Sequence, residues 1–201
     1  MIFLIHGPPG SGKSTLARQL SQDLCLPHIS SDRLAEWLTE IAQNSKDDLK
    51  GFIGGAGYEL MFRIAGELSR GRGSFIIEGC INPEFGGKRL LKTVESQNHD
   101  IFEIFVTACE RTLLERYRQR AGTSSRHAAH GDEYSRSEEL KIHLETTNYR
   151  PSKIGKYLIE IDNGENPQDT FQLVMNQLNE LIPGFVSASR KEAGMTKATA
   201  K

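Results

Sequence analysis

Residues 1–15 read MIFLIHGPPGSGKST, and this stretch decides the fold. The first six residues are short and mostly apolar, which is typical of a strand in a buried parallel sheet. The next nine fit the pattern G-x-x-x-x-G-K-[ST]. From Leu16 to Leu24 apolar side chains recur at helical spacing, so the glycine-rich loop opens an amphipathic helix. A strand, this loop and a helix, in that order, predict a site for phosphate groups.

Each residue type in the loop suits a nucleotide. Glycines let the backbone wrap closely enough for its N–H groups to point at phosphate oxygens, and the positive end of the next helix adds to the attraction. The lysine offers a point charge to the β- and γ-phosphates, and the serine after it is expected to ligate Mg²⁺. A chance glycine-rich turn is the alternative, and the strand–helix context argues against it. We expect the nucleotide to be bound by Gly7, Pro8, Pro9, Gly10, Ser11, Gly12, Lys13, Ser14 and Thr15.

Four more β-rich runs follow the loop, with helical apolar stripes between them. They cover residues 27–30, 74–78, 101–107 and 156–162. This alternation predicts a three-layer α/β protein in which five parallel strands lie between two layers of helices.

The pattern indicates one domain over residues 1–183. Residues 44–57 are rich in lysine, aspartate and glycine and are expected to form a loop. Residues 121–136 have few large apolar side chains, and we expect them to be a lid. Residues 184–201 are small, polar and basic, which predicts a disordered tail.

Composition narrows the class of protein. Hydrophobic residues make up 37% and charged residues 25%, as in ordinary globular proteins. The net charge of −1 gives no overall field that would attract nucleic acid or an anionic membrane. Three widely spaced cysteines argue against a disulfide framework. The first residues have neither the basic segment nor the long apolar core of an export signal, so we expect a cytoplasmic protein without a membrane partner. The sequence does not indicate an oligomeric state.

Four later motifs narrow the choice among nucleotide-binding proteins. The base-reading signature N-K-x-D of GTPases is absent. The motifs are LPHISSD at 26–32, GRGSFIIEG at 71–79, ERYRQR at 115–120 and RHAAH at 126–130. With the loop, they resemble the small P-loop kinases related to zeta toxins, chloramphenicol phosphotransferase and polynucleotide kinase, over roughly residues 1–182. The resemblance implies the strand order 2-3-1-4-5 and an ATP- and Mg²⁺-dependent kinase.

The acceptor of the phosphate stays open, because members of this family phosphorylate very different hydroxyl groups. A small-molecule hydroxyl is the leading interpretation. A polynucleotide 5′-hydroxyl kinase is a second one, although the near-neutral charge argues against a long nucleic-acid track. A regulatory ATPase without an acceptor is a third, and it would leave Asp32 and the arginines without a purpose.

Two carboxylates are expected at the carboxyl edge of the sheet, where ligands bind. Asp32 is expected to close the second strand and to accept the proton of the acceptor hydroxyl, as the resemblance also implies; a helix N-cap is the alternative. Glu78 ends the most apolar strand and is expected to contact Mg²⁺ or to orient the nucleophile; an exposed strand end is the alternative. Glu78 also rivals Asp32 as the base. Trp37 and Tyr58 are candidates for the acceptor pocket or for core packing.

Residues 110–126 contain five arginines and two glutamates. Arg116 and Arg120 share a predicted helix face with Leu113 and Tyr117 that should turn toward the protein, and arginines on such a face point to phosphate. Arg126 lies in the predicted lid and is expected to approach the phosphates on closure. These three arginines would stabilise charge on the transferred phosphoryl group. A solvated charged face is the alternative, and it is favoured for Arg118.

Overall fold

The sheet has the predicted topology. A computed structural model describes residues 1–43, 50–71, 73–94, 99–121, 123, 127, 129, 136–164 and 169–192 of the chain. Its five strands are all parallel and lie in the order β2-β3-β1-β4-β5, so the predicted order 2-3-1-4-5 is confirmed. They are β1 (Ile2–His6), β2 (His28–Ser30), β3 (Phe75–Gly79), β4 (Ile101–Thr107) and β5 (Tyr157–Asp162).

Helices cover both faces of the sheet, which confirms the three layers. Side chains of α1, α7 and α8 pack on one face, and those of α2, α3 and α4 pack on the other. None of the described helices is long and apolar enough to cross a membrane. The helices are α1 (Lys13–Leu24), α2 (Ser31–Ala42), α3 (Lys50–Arg70), α4 (Lys88–Val94), α5 (Glu110–Arg120), α6 (Arg136–Thr147), α7 (Thr170–Leu181) and α8 (Phe185–Glu192), with a π-helical turn at Pro83–Gly87 before α4.

The central strand β1 shows why the sheet needs two layers of helices. Phe3 belongs to the apolar core on one face and Leu4 to the core on the other, and both side chains are fully buried. Register places His6, the last residue of β1, opposite Gly79 of β3 and Phe105 of β4. The loop that follows His6 therefore begins at the edge where neighbouring strands also end.

A buried polar pair crosses the middle of the sheet. His6 Nε2 lies 2.9 Å from Glu103 Oε1, and both side chains are fully buried. The Glu103 carboxylate also accepts the backbone N–H groups of residues 152–155. Burial alone would raise the pKa of Glu103, but the hydrogen bonds and the charge of His6 hold it below its usual value. The pair thereby ties the segment before β5 to the strand that leads into the loop.

The predicted loop over residues 44–57 is wrong for residues 50–57, which form the first two turns of α3. A Cβ at Gly57 would lie 2.8 Å from the carbonyl oxygen of Ser31 in α2. Glycine here permits a close approach of two helices, and composition alone suggested a turn. The rest of the predicted loop lies outside the described residues.

The predicted disorder over residues 184–201 is wrong for α8. The ring of Phe185 packs 5.3 Å, centroid to centroid, from that of Phe3 in the core. Arg190 donates a 2.6 Å hydrogen bond to the carboxylate of Asp23 on α1. A few specific contacts order a segment whose small, polar composition predicts none. The remainder of the predicted tail lies outside the described residues.

Two glycines of α3 provide a matched test of the helix contact. Gly57→Ala should lower the free energy of unfolding by about 1–3 kcal/mol, because the added methyl group overpacks the contact with α2. Gly54→Ala should raise it by about 0.5–1 kcal/mol, because alanine is the better helix former and nothing lies within 4 Å of that position. Urea unfolding followed by circular dichroism measures both changes. Stabilisation of similar size in both variants would contradict the close contact.

Candidate active site

Contacts at three glycines hold the loop between β1 and α1. The φ angles are 151° at Gly7, 85° at Gly10 and 90° at Gly12, a region that favours glycine. A Cβ added at any of the three would lie within 2.8 Å of an atom of β4, of α5 or of Asn163, which follows β5. Glycine is therefore favoured at each position both because the φ angle is positive and because there is no room for a Cβ atom.

Lys13 places a buried positive charge at the start of α1. Only 5% of this residue is exposed, and its Nζ donates a 3.4 Å hydrogen bond to the carbonyl oxygen of Pro8. Burial alone would lower the pKa of Lys13, but the acidic groups of Cys80, Glu78 and Asp32 outweigh burial and raise it. The ammonium group is therefore charged at neutral pH and directed at the loop.

Glu78 is buried beside Ser14, so the alternative of an exposed strand end is wrong. Ser14 Oγ donates a 3.0 Å hydrogen bond to Glu78 Oε1. The other oxygen, Oε2, is buried without a hydrogen-bond partner among the described residues, and His28 Nε2 lies 3.8 Å from it. Burial alone would raise the pKa of Glu78, but His28 and the charge of Lys13 hold it below its usual value.

The pair formed by Ser14 and Glu78 fits Mg²⁺. This ion prefers oxygen ligands and is usually held by one or two carboxylates or hydroxyls together with phosphates and water. An ionised carboxylate with one unpartnered oxygen, next to a serine hydroxyl at the mouth of the loop, supplies that set of donors.

Asp32 lies near the expected edge but not on the strand. β2 ends at Ser30, and Asp32 occupies the first turn of α2, so the prediction that Asp32 closes the strand is wrong. Ser30 caps the helix instead, since its hydroxyl accepts the N–H of Arg33 at 3.5 Å. Asp32 lines the same cavity as Lys13 and Ser14. Its carboxylate therefore faces the site rather than serving as the cap.

The two arginines that α5 was predicted to direct at phosphate line one cavity together but differ in their other contacts. Arg116 donates hydrogen bonds to the carbonyl oxygens of Asn163 at 2.7 Å and Gly10 at 3.5 Å, so it braces the loop. Arg120, one turn later, lines the cavity of Lys13. Arg126 and most of the predicted lid lie outside the described residues, and their closure stays a prediction.

Asn163 holds the loop through a hydrogen bond to Ser11 and was not among the predicted site residues. The residue is 5% exposed. Its Nδ2 donates to the carbonyl oxygen of Ser11 at 2.7 Å, and its Oδ1 accepts from Thr170 Oγ1 at 2.6 Å. Asn163 directly follows β5, so its place at the carboxyl edge of the sheet was the available signal.

Among the described residues, three cavities lie beside the loop. The phosphate cavity, of about 340 Å³, is lined by Lys13, Ser14, Asp32, Cys80 and Arg120 among others. The outer cavity, of about 300 Å³, is lined by Thr15, Gln19, Arg116, Asn163 and Thr170 among others. The apolar cavity, of about 630 Å³, is lined by Tyr58, Phe62, Ile81, Arg89 and Tyr149 among others, and it shares Pro9, Cys80 and His143 with the phosphate cavity.

Of the two aromatic candidates for the acceptor pocket, Tyr58 lines the apolar cavity. Trp37 is 50% exposed. The guanidinium carbon of Arg33 lies over the Trp37 ring, 5.8 Å from the ring centroid. The site thus takes its aromatic wall from α3 and from Tyr149, which follows α6, rather than from α2.

The sheet order, the glycine-rich loop and the lysine–serine pair together define the fold of a small P-loop kinase. The model of the AAA domain family AAA_33 matches residues 2–139, and the chain belongs to this family. A protein from Chloroflexus aurantiacus has a TM-score of 0.77 at 21% identity, covering 89% of this chain and 96% of that one. A gluconokinase from Sinorhizobium meliloti has a TM-score of 0.60 at 18% identity, covering 94% and 96%. At such identities the likeness shows the fold alone.

Two curated relatives match shorter stretches. A cytidylate kinase from Sulfurisphaera tokodaii is 52% identical over 40 residues, 20% of this chain. An adenylate kinase from Mycoplasmopsis pulmonis is 33% identical over 86 residues, 38% of this chain. The chain spans only 22% and 39% of the lengths of these two relatives.

The brace formed by Asn163 can be tested by truncation. Asn163→Ala should weaken binding of an ATP analogue by about tenfold, since orphaned buried polar groups cost about 1–3 kcal/mol and about 1.4 kcal/mol is a factor of ten. Asn176→Ala, on the exposed side of α7, is the matched control and should bind normally. Titration calorimetry measures both. Unchanged affinity in Asn163→Ala would show that the loop keeps its shape without this residue.

Proposed function

We propose that the protein transfers the γ-phosphate of ATP, with Mg²⁺, to a hydroxyl group of a small-molecule acceptor. The proposal rests on how the residues and cavities of the site are arranged. Lys13, Ser14 and Asp32 line one cavity, Glu78 hydrogen-bonds Ser14, and a separate apolar cavity opens beside them. A nucleotide-binding regulator without an acceptor would need neither Asp32 in the phosphate cavity nor the neighbouring space.

The loop and its neighbours would bind the triphosphate. The backbone N–H groups of residues 10–15 and the ammonium group of Lys13 are suited to the β- and γ-phosphates. Ser14 and Glu78 would hold Mg²⁺, which when bound neutralises phosphate charge. Arg120 lines the phosphate cavity and would stabilise the transferred group, while Arg116 would act by keeping the loop in shape. Arg126 is proposed to join them on closure of the lid.

Asp32 is the proposed general base. It would accept the hydroxyl proton of the acceptor as the new O–P bond forms and the bond to the β-phosphate breaks, which releases ADP. Asp32 lines the phosphate cavity, which shares Pro9, Cys80 and His143 with the apolar cavity. Burial raises the pKa of Tyr58 and Tyr149, and the charge of Asp32 adds to that effect. Glu78 is less suited to this role, because it is fully buried and bonded to Ser14.

Phosphate transfer to a nucleoside monophosphate is a second candidate. The curated relatives named cytidylate kinase and adenylate kinase favour it, although they match only part of this chain. A polynucleotide 5′-hydroxyl acceptor is disfavoured by the net charge of −1.

A transfer assay with γ-labelled ATP tests the proposed function. The protein and Mg²⁺ are incubated with sugars, nucleosides, aromatic alcohols, nucleoside monophosphates and a 5′-hydroxyl oligonucleotide, and labelled products are separated. We expect label on a small hydroxyl compound, and none with Lys13→Ala, which should also lose Mg·ATP binding in calorimetry. Undiminished Mg·ATP binding by Lys13→Ala would overturn the assignment of the loop.

The base can be tested separately. Asp32→Asn should leave affinity for ATP nearly unchanged and lower turnover by about 10²–10⁴-fold, the usual contribution of a general base. Asp100→Asn, at the opposite end of the sheet, is the control and should change neither quantity. Full turnover by Asp32→Asn would show that Asp32 is not the base and would make Glu78 the leading candidate.

A further inference from the structure

We propose that the acceptor is an uncharged hydroxyl compound with an apolar or aromatic ring, held in the apolar cavity, and that a phosphate- or carboxylate-bearing acceptor is disfavoured there. The inference rests on the proposed function, since it names the class of acceptor for the same site. Its basis is the pairing of Arg89 with Glu59 in a wall that is mainly apolar, with Asn82 and His143 as further polar side chains.

The apolar cavity offers mainly ring and aliphatic surfaces, although Asn82 and His143 also line it. Tyr58, Phe62 and Tyr149 line it. Tyr58 donates its hydroxyl hydrogen to the carbonyl oxygen of Cys80 at 3.2 Å, and the hydroxyl of Tyr149 lies 2.8 Å from His143 Nε2. Both hydroxyls already have a partner, so a ligand that packs against these two tyrosines would contact chiefly their rings. Flat apolar groups pack best against such walls.

The arginine at this cavity is already paired. Arg89 Nη2 donates to both carboxylate oxygens of Glu59, at 3.0 and 3.1 Å. Glu59 also accepts a 2.7 Å hydrogen bond from Arg63. This bond, together with the charge of Arg89, holds the pKa of Glu59 below its usual value against the opposing effect of burial. Glu59 therefore stays ionised across the physiological range of pH and occupies Arg89 with both of its oxygens, while Arg63, which does not line the cavity, shares the same carboxylate.

This pairing discriminates by charge. An anionic acceptor would have to displace Glu59 from Arg89 and then lie beside an ionised carboxylate, with Asp32 as a second negative charge nearby. Among the described residues that line the cavity, Arg89 is the one arginine, and lysine is absent. A neutral acceptor meets no such repulsion. The geometry therefore favours a nucleoside-like or aromatic alcohol over a nucleoside monophosphate.

Matched pairs of probes test the inference by binding, independently of phosphate transfer. The pairs are cytidine with cytidine monophosphate, and 4-(hydroxymethyl)benzamide with 4-(hydroxymethyl)benzoate. Each is titrated by ligand-observed NMR into the full chain saturated with a non-hydrolysable ATP analogue and Mg²⁺. We expect saturable binding of at least one neutral member, with a Kd about tenfold or more below that of its anionic partner, a difference of about 1.4 kcal/mol.

Glu59→Gln tests the cause of the preference. Removing the carboxylate frees Arg89, so the Kd of the anionic partners should fall by about tenfold, whereas that of the neutral probes should stay constant. Glu67→Gln is the control: Glu67 lies on the same helix and pairs with Arg70 at 2.7 Å, without lining the cavity. It should leave both sets unchanged.

Three outcomes would overturn the inference: tighter binding of the anionic members to the unchanged protein, no effect of Glu59→Gln on the preference, or no binding of any neutral probe at millimolar concentration while the ATP analogue binds. Failure of the proposed function looks different. In that case neutral probes bind in the expected order, yet no labelled phosphate reaches any acceptor.

Discussion

The close packing of the loop over residues 7–15 is the constraint on which the site depends. β4, α5 and Asn163 each touch a different glycine, so the loop is shaped from three sides. This shape buries the charge of Lys13 and brings it within reach of Asp32 and Glu78. A buried ammonium group is tolerated because carboxylates compensate for its lost hydration. The parallel sheet supplies all of these neighbours at one edge, and the order of its strands is therefore part of the chemistry.

Most of the fold could be predicted from the sequence, because its strands are apolar on both faces and the loop fixes what precedes and follows it. The failures share one cause. The glycines before residue 58 suggested a turn, but Gly57 serves the contact between α2 and α3. The polar segment after residue 184 suggested disorder, but Phe185 reaches the core. In both places a contact with a residue distant along the chain decides the structure, against the local composition. Local sequence patterns do not indicate such contacts.

Two rules predicted parts of the candidate site: the glycine-rich motif predicts which residues bind phosphate, and ligands bind at the carboxyl edge of a parallel sheet. The positions of Ser14 and Glu78 followed from these two rules. The different surroundings of Arg116 and Arg120 did not, because a helical projection shows a shared face but not the partner that each side chain meets. The pairing of Glu59 with Arg89 joins two helices, and no local pattern indicates it.

A crystal structure with a non-hydrolysable ATP analogue and Mg²⁺ would show whether residues 7–15 hold the triphosphate. We expect the β- and γ-phosphates within hydrogen-bond distance of the loop N–H groups and of Lys13 Nζ. We also expect Ser14 Oγ, which is 3.0 Å from Glu78 without the ion, to leave Glu78 and ligate Mg²⁺. A triphosphate bound away from residues 7–15, or an ion bound elsewhere with the hydrogen bond between Ser14 and Glu78 intact, would contradict this expectation.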